Sequence, residues 1–313
     1  MGRRSLIAAG AAALTALLVG CGGSSAATSP TAAPAPSTPA PSPTGAPNQL
    51  YVSVGDSYAA GYQATGPNVG FTNRNGFAYQ VVDAAKAKGY DLTLTNFGCG
   101  GATTTSLLQQ RGCRPEHLGP GASPYDASTQ IDAAEAFLRA HPGRVALLTV
   151  SIGGNDVTAC SIATDPVACV TTTAATIKAN LGQALKRLRD AAGPDTRIVG
   201  ITYPDIILGE YLSDDPQRKN LAELSVVAFK AVINPALKAE YEKVGGELVD
   251  VTEATGAYEP LTQTTDLPPY GTIPDAVAKV CTLTYYCEFG DIHPRTPGYK
   301  VISDLVVGTL PQR

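Results

Sequence analysis

A nearly continuous apolar run at residues 145–152 constrains the fold of this 313-residue chain more than any other feature. It reads VALLTVSI and is followed by two glycines. A strand without alternating polar positions is buried on both faces, as in a parallel sheet covered by helices. With an apolar content of 44%, the chain has enough apolar side chains for such a core.

Further apolar segments alternate with helix-like segments from residue 49 onwards. The pattern predicts four more strands, at residues 50–54, 92–96, 197–202 and 247–251. It predicts helices at residues 77–88, 129–140, 173–192, 221–244 and 298–307, the last with Thr296 as N-cap and Pro297 at its first position. Residues 49–313 are therefore predicted to form one α/β domain, a three-layer α/β/α sandwich around a mostly parallel five-stranded sheet.

The amino terminus indicates export. Arg3 and Arg4 precede an uncharged apolar run that is short for a transmembrane span, so residues 1–20 are predicted to be a signal peptide. The run ends in Leu-Val-Gly-Cys, which resembles the bacterial lipoprotein box. That resemblance implies lipidation of Cys21, and an ordinary signal peptide with an incidental cysteine is the alternative. The arginine pair matches a twin-arginine export signal only weakly.

A tether is predicted to follow the lipidated cysteine. Residues 21–48 are rich in Ala, Ser, Thr, Pro and Gly and carry no charge, a composition that favours a disordered, extended spacer. The signal, Cys21 and the spacer together predict a domain anchored by lipid at the outer face of the cell membrane or in the cell envelope. A net charge of −4 without a basic stripe argues against a nucleic-acid partner.

The cysteines after Cys21 are even in number. They fall into three close pairs: Cys99 with Cys113, Cys160 with Cys169, and Cys281 with Cys287. Six cysteines allow 15 connectivities, of which sequential pairing is the simplest. No pair has the CxxC spacing of zinc ligands, so three disulfides are favoured over a metal site.

Four segments with polar or glycine residues lie at the ends of predicted elements. Ser57 follows the first strand, Gly101 lies in a glycine-rich loop after the second, and Asn155 follows the third. His293 precedes the last helix. Because ligands bind at the carboxyl ends of parallel strands, these residues are expected to lie near one another.

Each segment has both a chemical and an ordinary interpretation. The Ser57 hydroxyl could be exposed at a strand-to-helix turn, the glycines could present bare N–H groups, and the Asn155 amide could donate to an oxyanion. Taken singly, they are a helix cap, a flexible turn, an Asn-Asp turn and a loop histidine. The other two histidines, His117 and His141, are interpreted as surface residues.

Together, the four segments resemble the sequence blocks of the SGNH/GDSL hydrolase family, in the family's order, over residues 50–308. The cysteine pairs add a similarity to the secreted actinobacterial esterases and lipases of that family. The resemblance implies the flavodoxin-like SGNH hydrolase fold and a serine esterase or lipase with an acyl-enzyme on Ser57. It implies His293 as the general base, and an oxyanion hole of Ser57, Gly101 and Asn155.

The resemblance also implies which cofactors and partners the protein has. No cofactor or metal is required, and the partner is a small-molecule or lipid ester. We expect a monomer in which the only further partner is the membrane, through the lipid anchor at Cys21.

One departure from the family pattern concerns the acid. The family's Asp stands three residues before the histidine, where this chain has Gly290, and Asp291 is two residues before it. In extended chain, residues two apart share a face, so Asp291 could reach the ring of His293. A backbone carbonyl near Gly290 is the alternative, leaving a Ser–His dyad. Asp56 is expected to order the turn around Ser57.

Other functions compete with ester hydrolysis. Acyl transfer to an envelope lipid or sugar would use the same residues, and a ligand-binding lipoprotein without catalysis could use the same fold. The missing GxSxG and HExxH motifs disfavour a standard α/β-hydrolase and a zinc hydrolase. The acyl pocket is expected to be shaped by the loops at residues 203–216 and 252–279. In the first loop, the apolar residues either line that pocket or pack the domain: Ile206, Ile207, Leu208 and Tyr211.

Overall fold

A five-stranded parallel sheet forms the centre of the structure, a computed structural model that describes residues 50–313. The predicted signal peptide, Cys21 and the tether lie outside the described residues. The strands are β1 (Leu50–Gly55), β2 (Tyr62–Gly66), β3 (Val69–Thr72), β4 (Thr93–Asn96), β5 (Val145–Ser151), β6 (Arg197–Ile201), β7 (Glu247–Val249), β8 (Thr264–Leu267) and β9 (Gly271–Pro274).

The strand order in the main sheet is β4-β1-β5-β6-β7, and every pair is parallel. Taken in chain order among the sheet strands, this is the 2-1-3-4-5 arrangement of flavodoxin-like folds. β2–β3 and β8–β9 form separate two-stranded antiparallel sheets. The predicted fold class is therefore confirmed.

Helices cover both faces of the sheet. They are α1 (Ser57–Ala60), α2 (Phe77–Ala84), α3 (Thr104–Gln109), α4 (Gln130–Ala140), α5 (Gly154–Thr158), α6 (Pro166–Ala192), α7 (Pro216–Ala228), α8 (Asn234–Lys243), α9 (Val251–Ala254), α10 (Asp275–Leu283), α11 (Tyr286–Phe289) and α12 (Thr296–Gly308). A π-helical turn, Phe229–Ile233, joins α7 to α8.

The apolar run in β5 is explained by burial on both faces. Leu148 packs into the core shared with α4 and α6, whereas its neighbour Leu147 packs into the core shared with α2 and α12. Every residue of β5 is buried, so none of its positions is left for a solvent-facing polar side chain. The whole strand is therefore apolar or small, as the sequence pattern requires.

Several element boundaries differ from the sequence prediction. α6 begins seven residues before the predicted helix, with the side chain of Asp165 as N-cap. The N-cap position of α12 is Arg295, and Thr296 is the first residue of the helix. The Thr296 hydroxyl does not cap the helix but accepts a hydrogen bond from Gln63. The predicted loop at residues 252–279 contains β8, β9 and part of α10.

One described helical run, Pro216–Lys243, is long and apolar enough to cross a membrane when judged by length and composition alone. Ile233, Leu237 and Tyr241 of this run are buried in the core between the sheet and α6. The run is therefore a covering helix of the α/β sandwich.

The structure contains three disulfides, Cys99–Cys113, Cys160–Cys169 and Cys281–Cys287. Each closes a short loop, and Cys99–Cys113 closes the one that follows β4. In the chain-entropy description, a disulfide around such a loop stabilises the fold by roughly 2–4 kcal/mol.

Candidate active site

The candidate site lies where the strand order of the sheet reverses. β1 has β4 on one side and β5 on the other, so the chain leaves β1 and β5 on opposite sides of a crevice. Ser57 follows β1 and Asn155 follows β5. The fold therefore places both residues at the position where open α/β sheets bind ligands.

A hydrogen bond joins Ser57 to His293, although 236 residues separate them in the chain. The Ser57 Oγ lies 2.7 Å from Nε2 of the histidine. Ser57 is only 6% exposed, so the pair is largely shielded from water. The geometry suits proton transfer from the hydroxyl to the ring.

The other ring nitrogen of His293 contacts Asp291. Oδ1 of the carboxylate lies 2.8 Å from Nδ1 and also accepts the backbone N–H of His293 at 2.9 Å. Burial alone would raise the pKa of Asp291, but the hydrogen bonds and charge of His293 outweigh it and leave the pKa lowered. With the carboxylate ionised, Nδ1 donates its proton to Asp291, and Nε2 is left to accept from Ser57.

Three tyrosines hold the histidine segment in place. The Tyr58 hydroxyl donates to the carbonyl of Ile292 at 2.7 Å, and the Tyr285 N–H donates to the carbonyl of His293 at 3.0 Å. The ring of Tyr62 lies 4.3 Å from the imidazole, centroid to centroid. Main-chain hydrogen bonds therefore hold the backbone of the histidine segment, and the ring of Tyr62 packs against the imidazole.

Glycine is required at position 55, just before the turn that carries Ser57. Gly55 has a φ of 147°, and a Cβ there would lie 2.1 Å from the carbonyl oxygen of Ser151. The main-chain groups of Gly55 pair with one side-chain amide, that of Gln130 on α4. The Gly55 N–H donates to Oε1 at 2.8 Å, and Nε2 donates to the Gly55 carbonyl at 2.9 Å.

Replacing Gln130 by Met is expected to lower the free energy of unfolding. Met is similar in shape but leaves the buried N–H of Gly55 without its acceptor, at a cost of about 1–3 kcal/mol. The Gly55 carbonyl still accepts the backbone N–H of Cys99 at 3.0 Å. Urea denaturation measures the change, and the exposed Gln217, changed to Met, is the matched control. An unchanged midpoint in Gln130→Met would show that this amide does not stabilise the turn.

Asp56 organises the same turn from its other end. One carboxylate oxygen accepts the Tyr58 N–H at 2.9 Å, which caps α1, and the other accepts the Tyr203 hydroxyl at 2.6 Å. Burial raises the pKa of Asp56 to about 7, although the hydrogen bonds from Tyr203 and Tyr58 oppose the rise. Both oxygens are thus engaged within the turn. The sequence did not reveal Gln130 or Tyr203, because 75 and 147 residues separate them from their partners.

The loop of Gly101 is bound to the segment of Asn155. Nδ2 of Asn155 donates to the carbonyl of Ala102 at 2.9 Å. The carboxylate of Asp156 accepts both the N–H and the hydroxyl of Thr104, at 2.9 and 2.6 Å. These bonds fix the ends of β4 and β5 relative to each other.

Two backbone donors near the site are uncommitted. Within residues 50–313, neither the Ser57 N–H nor the Gly101 N–H has a hydrogen-bond acceptor. Gly101 has a φ of 80°, which favours glycine, and it lies on the wall of a polar cavity of about 240 Å³ together with Arg114 and His117. Uncommitted N–H groups of this kind are what stabilisation of an oxyanion requires.

An apolar cavity of about 270 Å³ opens from Ser57 and Asn155 and runs between α6 and the helical run α7–α8. Ile206 and Ile207 line it, as one interpretation of the loop at residues 203–216 predicted. Leu208 and Tyr211 instead pack into a separate cluster with α10. None of residues 252–279, all of them described, lines the cavity, so the expectation that this second loop shapes it was wrong.

A buried carboxylate lies behind the cavity wall. Asp205 accepts a hydrogen bond from the hydroxyl of Ser225 at 2.8 Å, and Ser225 itself lines the cavity. Burial raises the pKa of Asp205 to about 7, and the hydrogen bond from Ser225 opposes the rise only in part. In the unfolded chain the pKa is that of an ordinary aspartate, 3.8.

Asp205→Asn is expected to stabilise the protein more at pH 7 than at pH 4. Between these values the unfolded chain releases the proton of Asp205 while the folded chain keeps it, so wild-type stability falls as pH rises, by about 1.4 kcal/mol per unit of pKa difference. Asn carries no proton to release and still accepts from Ser225. Denaturant titrations at several pH values measure the difference, with Asp214→Asn at an exposed position as control. A gain that is the same at pH 4 and pH 7 would contradict the assigned shift.

Within residues 50–313, no group of three or more His, Cys, Asp and Glu side chains could hold a metal ion.

A Ser–His–Asp hydrogen-bonded chain at the carboxyl end of a parallel sheet is typical of serine hydrolases. The sequence model of the GDSL-like lipase/acylhydrolase family matches residues 53–301. The chain belongs to this family and is a carboxylic ester hydrolase. The family resemblance found in the sequence is thereby confirmed.

Three of the solved structures that match the chain are esterases or lipases. An extracellular lipase from Streptomyces rimosus is 18% identical with a TM-score of 0.48, over 84% of this chain and 100% of its own. An acetylxylan esterase from Geobacillus stearothermophilus is 15% identical with a TM-score of 0.46, over 85% and 97%. The aryl esterase of M. smegmatis is 12% identical with a TM-score of 0.38, over 83% and 95%. No curated protein sequence is a significant match.

Proposed function

We propose that the chain hydrolyses carboxylic esters through an acyl-enzyme on Ser57, with His293 as the general base. The observation that carries the proposal is the 2.7 Å hydrogen bond between Ser57 Oγ and His293 Nε2. Since a serine hydroxyl is a weak nucleophile by itself, an adjacent base that takes its proton is the requirement for attack.

Acylation proceeds in two steps. Ser57 Oγ attacks the ester carbonyl while its proton moves to Nε2 of His293, giving a tetrahedral oxyanion and an imidazolium. The imidazolium then gives that proton to the alcohol oxygen as the bond between carbonyl carbon and alcohol breaks. The acyl group remains on Ser57.

Deacylation repeats the sequence with water as the nucleophile. His293 takes a proton from water, the resulting hydroxide attacks the acyl carbonyl, and the proton returns to Ser57 Oγ as the acid leaves. Asp291 holds Nδ1 and stabilises the imidazolium in both halves of the reaction, and its 2.8 Å contact supports this role over orientation by a carbonyl near Gly290.

The oxyanion hole comprises the N–H of Ser57, the N–H of Gly101 and the side-chain amide of Asn155. The two uncommitted N–H groups and the bond from Asn155 to the Gly101 loop support this set. Asn155 Nδ2 has a second proton beyond the one donated to Ala102. Each donor is worth roughly 10²–10³ in rate.

We also propose that the protein is exported as a monomer and anchored through lipid on Cys21, with residues 1–20 removed. Three disulfides in residues 50–313 support an oxidising compartment outside the cytoplasm. The mass of the mature protein from a membrane extract tests the anchor, since an unmodified Cys21 would refute it.

A serine-directed fluorophosphonate probe tests the proposed mechanism. The folded wild type is expected to incorporate one equivalent, on the peptide that contains Ser57, and Ser57→Ala is expected to incorporate none. Absence of labelling in folded wild-type protein would refute the acyl-enzyme and would favour ligand binding without catalysis.

A further inference from the structure

The apolar cavity beside Ser57 has walls that offer few free hydrogen-bond donors to a polar ligand. Four of its hydroxyl groups donate to acceptors within the protein: Thr158 to the carbonyl of Gly154, Ser161 to that of Thr158, Thr171 to that of Val167, and Ser225 to Asp205. A sugar entering this space would lose its bonds to water and find few partners. A hydrocarbon chain would lose none.

The helices on either side contribute the apolar surface. Val170 and Ile177 of α6 face the cavity from one side, and Ala228 of α7 faces it from the other. Phe229 and Ile233 of the π-helical turn also line it, and π-turns are frequent at functional sites. Since a water molecule takes about 30 Å³ of liquid and a methylene is of similar size, the volume fits on the order of nine carbons.

The mouth of the cavity is apolar on its outer side as well. Ile162 is 90% exposed, Val167 and Val227 are each 60% exposed, and Leu224 is 41% exposed. We call these four residues the apolar rim. The last three also line the cavity, and the Cys160–Cys169 disulfide closes the segment that carries the first two.

The rim is unusual for this surface. In residues 50–313, six large apolar side chains are exposed. Three of them line the cavity, and a fourth, Ile162, directly follows Ser161, which lines it as well. Scattered exposed apolar residues need no explanation, whereas a cluster at the mouth of an apolar cavity marks a contact with another apolar phase. Because the rim is continuous with the cavity that begins at Ser57, where an ester would react, a lipid surface that carries the ester is the occupant that matches it.

We propose that the acyl group of the substrate is a fatty chain of on the order of nine carbons bound in this cavity, and that it enters from a lipid surface across the apolar rim. The proposal rests on the proposed function, because the cavity begins at Ser57. The cavity binds the chain, and the rim lets it pass from lipid to protein without crossing water.

A series of 4-methylumbelliferyl esters tests the cavity. We expect kcat/KM to rise by about fourfold for each added methylene and to level off near ten carbons. Ala228→Phe fills the cavity and is expected to lower the ratio of kcat/KM for decanoate to that for acetate by at least roughly tenfold. Ala175→Phe, on an exposed position of α6, is the matched control and should leave the ratio unchanged.

A flat profile in the wild type, or an unchanged ratio in Ala228→Phe, would overturn the acyl assignment. Fluorophosphonate labelling of Ser57 shows whether that variant is folded, and Val170→Phe replaces it if labelling is lost. Hydrolysis of acetate with a flat profile refutes this proposal alone. Absence of both hydrolysis and labelling in the wild type refutes the proposed function.

Phosphatidylcholine vesicles that contain the decanoate ester test the rim. Ile162→Ser is expected to lower the ratio of vesicle hydrolysis to hydrolysis of dissolved butyrate by roughly tenfold. The reason is that the Ile162 side chain, which is exposed to water in the free protein, would be buried in the lipid on contact, and serine would lose that burial. Ile162→Leu should retain the wild-type ratio. An unchanged ratio in Ile162→Ser would show that the rim does not contact lipid, which leaves a protein partner as its occupant.

Discussion

Ser57→Ala is expected to lower kcat for ester hydrolysis by on the order of 10⁴-fold or more, with KM little changed. The substitution removes the attacking oxygen, whereas the cavity and the N–H donors that bind the ester remain. Ser57 is buried and lies at the start of α1, where alanine is accommodated without a clash. Steady-state kinetics with a short aryl ester measure the loss.

His293→Ala is expected to give a loss of the same size, and the double variant is expected to be no worse than either single one. The effects of substituting two residues that act as one unit do not add, because the proton transfer from Ser57 to His293 is already lost when either one is removed. His141→Ala, at the end of α4, is the matched control and should retain activity. Wild-type rates in Ser57→Ala or His293→Ala, or losses that multiply in the double variant, would refute the Ser–His pair.

The main sheet could be predicted because each of its strands carries its own signal. β5 is apolar throughout, since both of its faces are covered, and the shorter strands are separated by segments with helical spacing. The β8–β9 hairpin could not be predicted in the same way. Its strands are largely exposed and carry Thr and Asp, so their sequence differs little from that of a loop.

The site residues divide along a similar line. Ser57, Gly101, Asn155 and His293 lie in short segments that resemble family blocks, so their positions could be found by reading the chain. Gln130 and Tyr203 have no such local mark, because each acts on the turn at Ser57 from a distant element through one side chain. Only the folded arrangement shows that their partners are Gly55 and Asp56.

The apolar cavity lies between these extremes. Its helices are visible in the sequence, but their apolar residues could equally have packed into the core. The outcome is mixed even within one loop, since Ile207 lines the cavity and Leu208, its neighbour, is buried against α10. The local sequence pattern shows that a segment carries apolar side chains. The packing of α6 against α7–α8 decides which of these side chains face the cavity.

Asp291→Asn is expected to lower kcat by on the order of 10⁴-fold, with KM little changed. Oδ1 of Asp291 accepts bonds from both the ring and the backbone N–H of His293. The amide oxygen of asparagine can accept the same two bonds, so the orientation of the ring is preserved. The variant therefore removes the negative charge that stabilises the imidazolium as Ser57 attacks, and little else.

A matched control exists in the same segment of the chain. Glu288 forms an exposed ion pair with Arg295, and Glu288→Gln removes a carboxylate near His293 that does not touch its ring. If Glu288→Gln retains activity and Asp291→Asn loses it, the loss belongs to the carboxylate on Nδ1 and not to the charge of the segment. Near-normal kcat in Asp291→Asn would instead mean that the negative charge of Asp291 is not needed to stabilise the imidazolium, because the amide oxygen of asparagine still orients the ring. The enzyme would then work as a Ser–His dyad held by an uncharged acceptor.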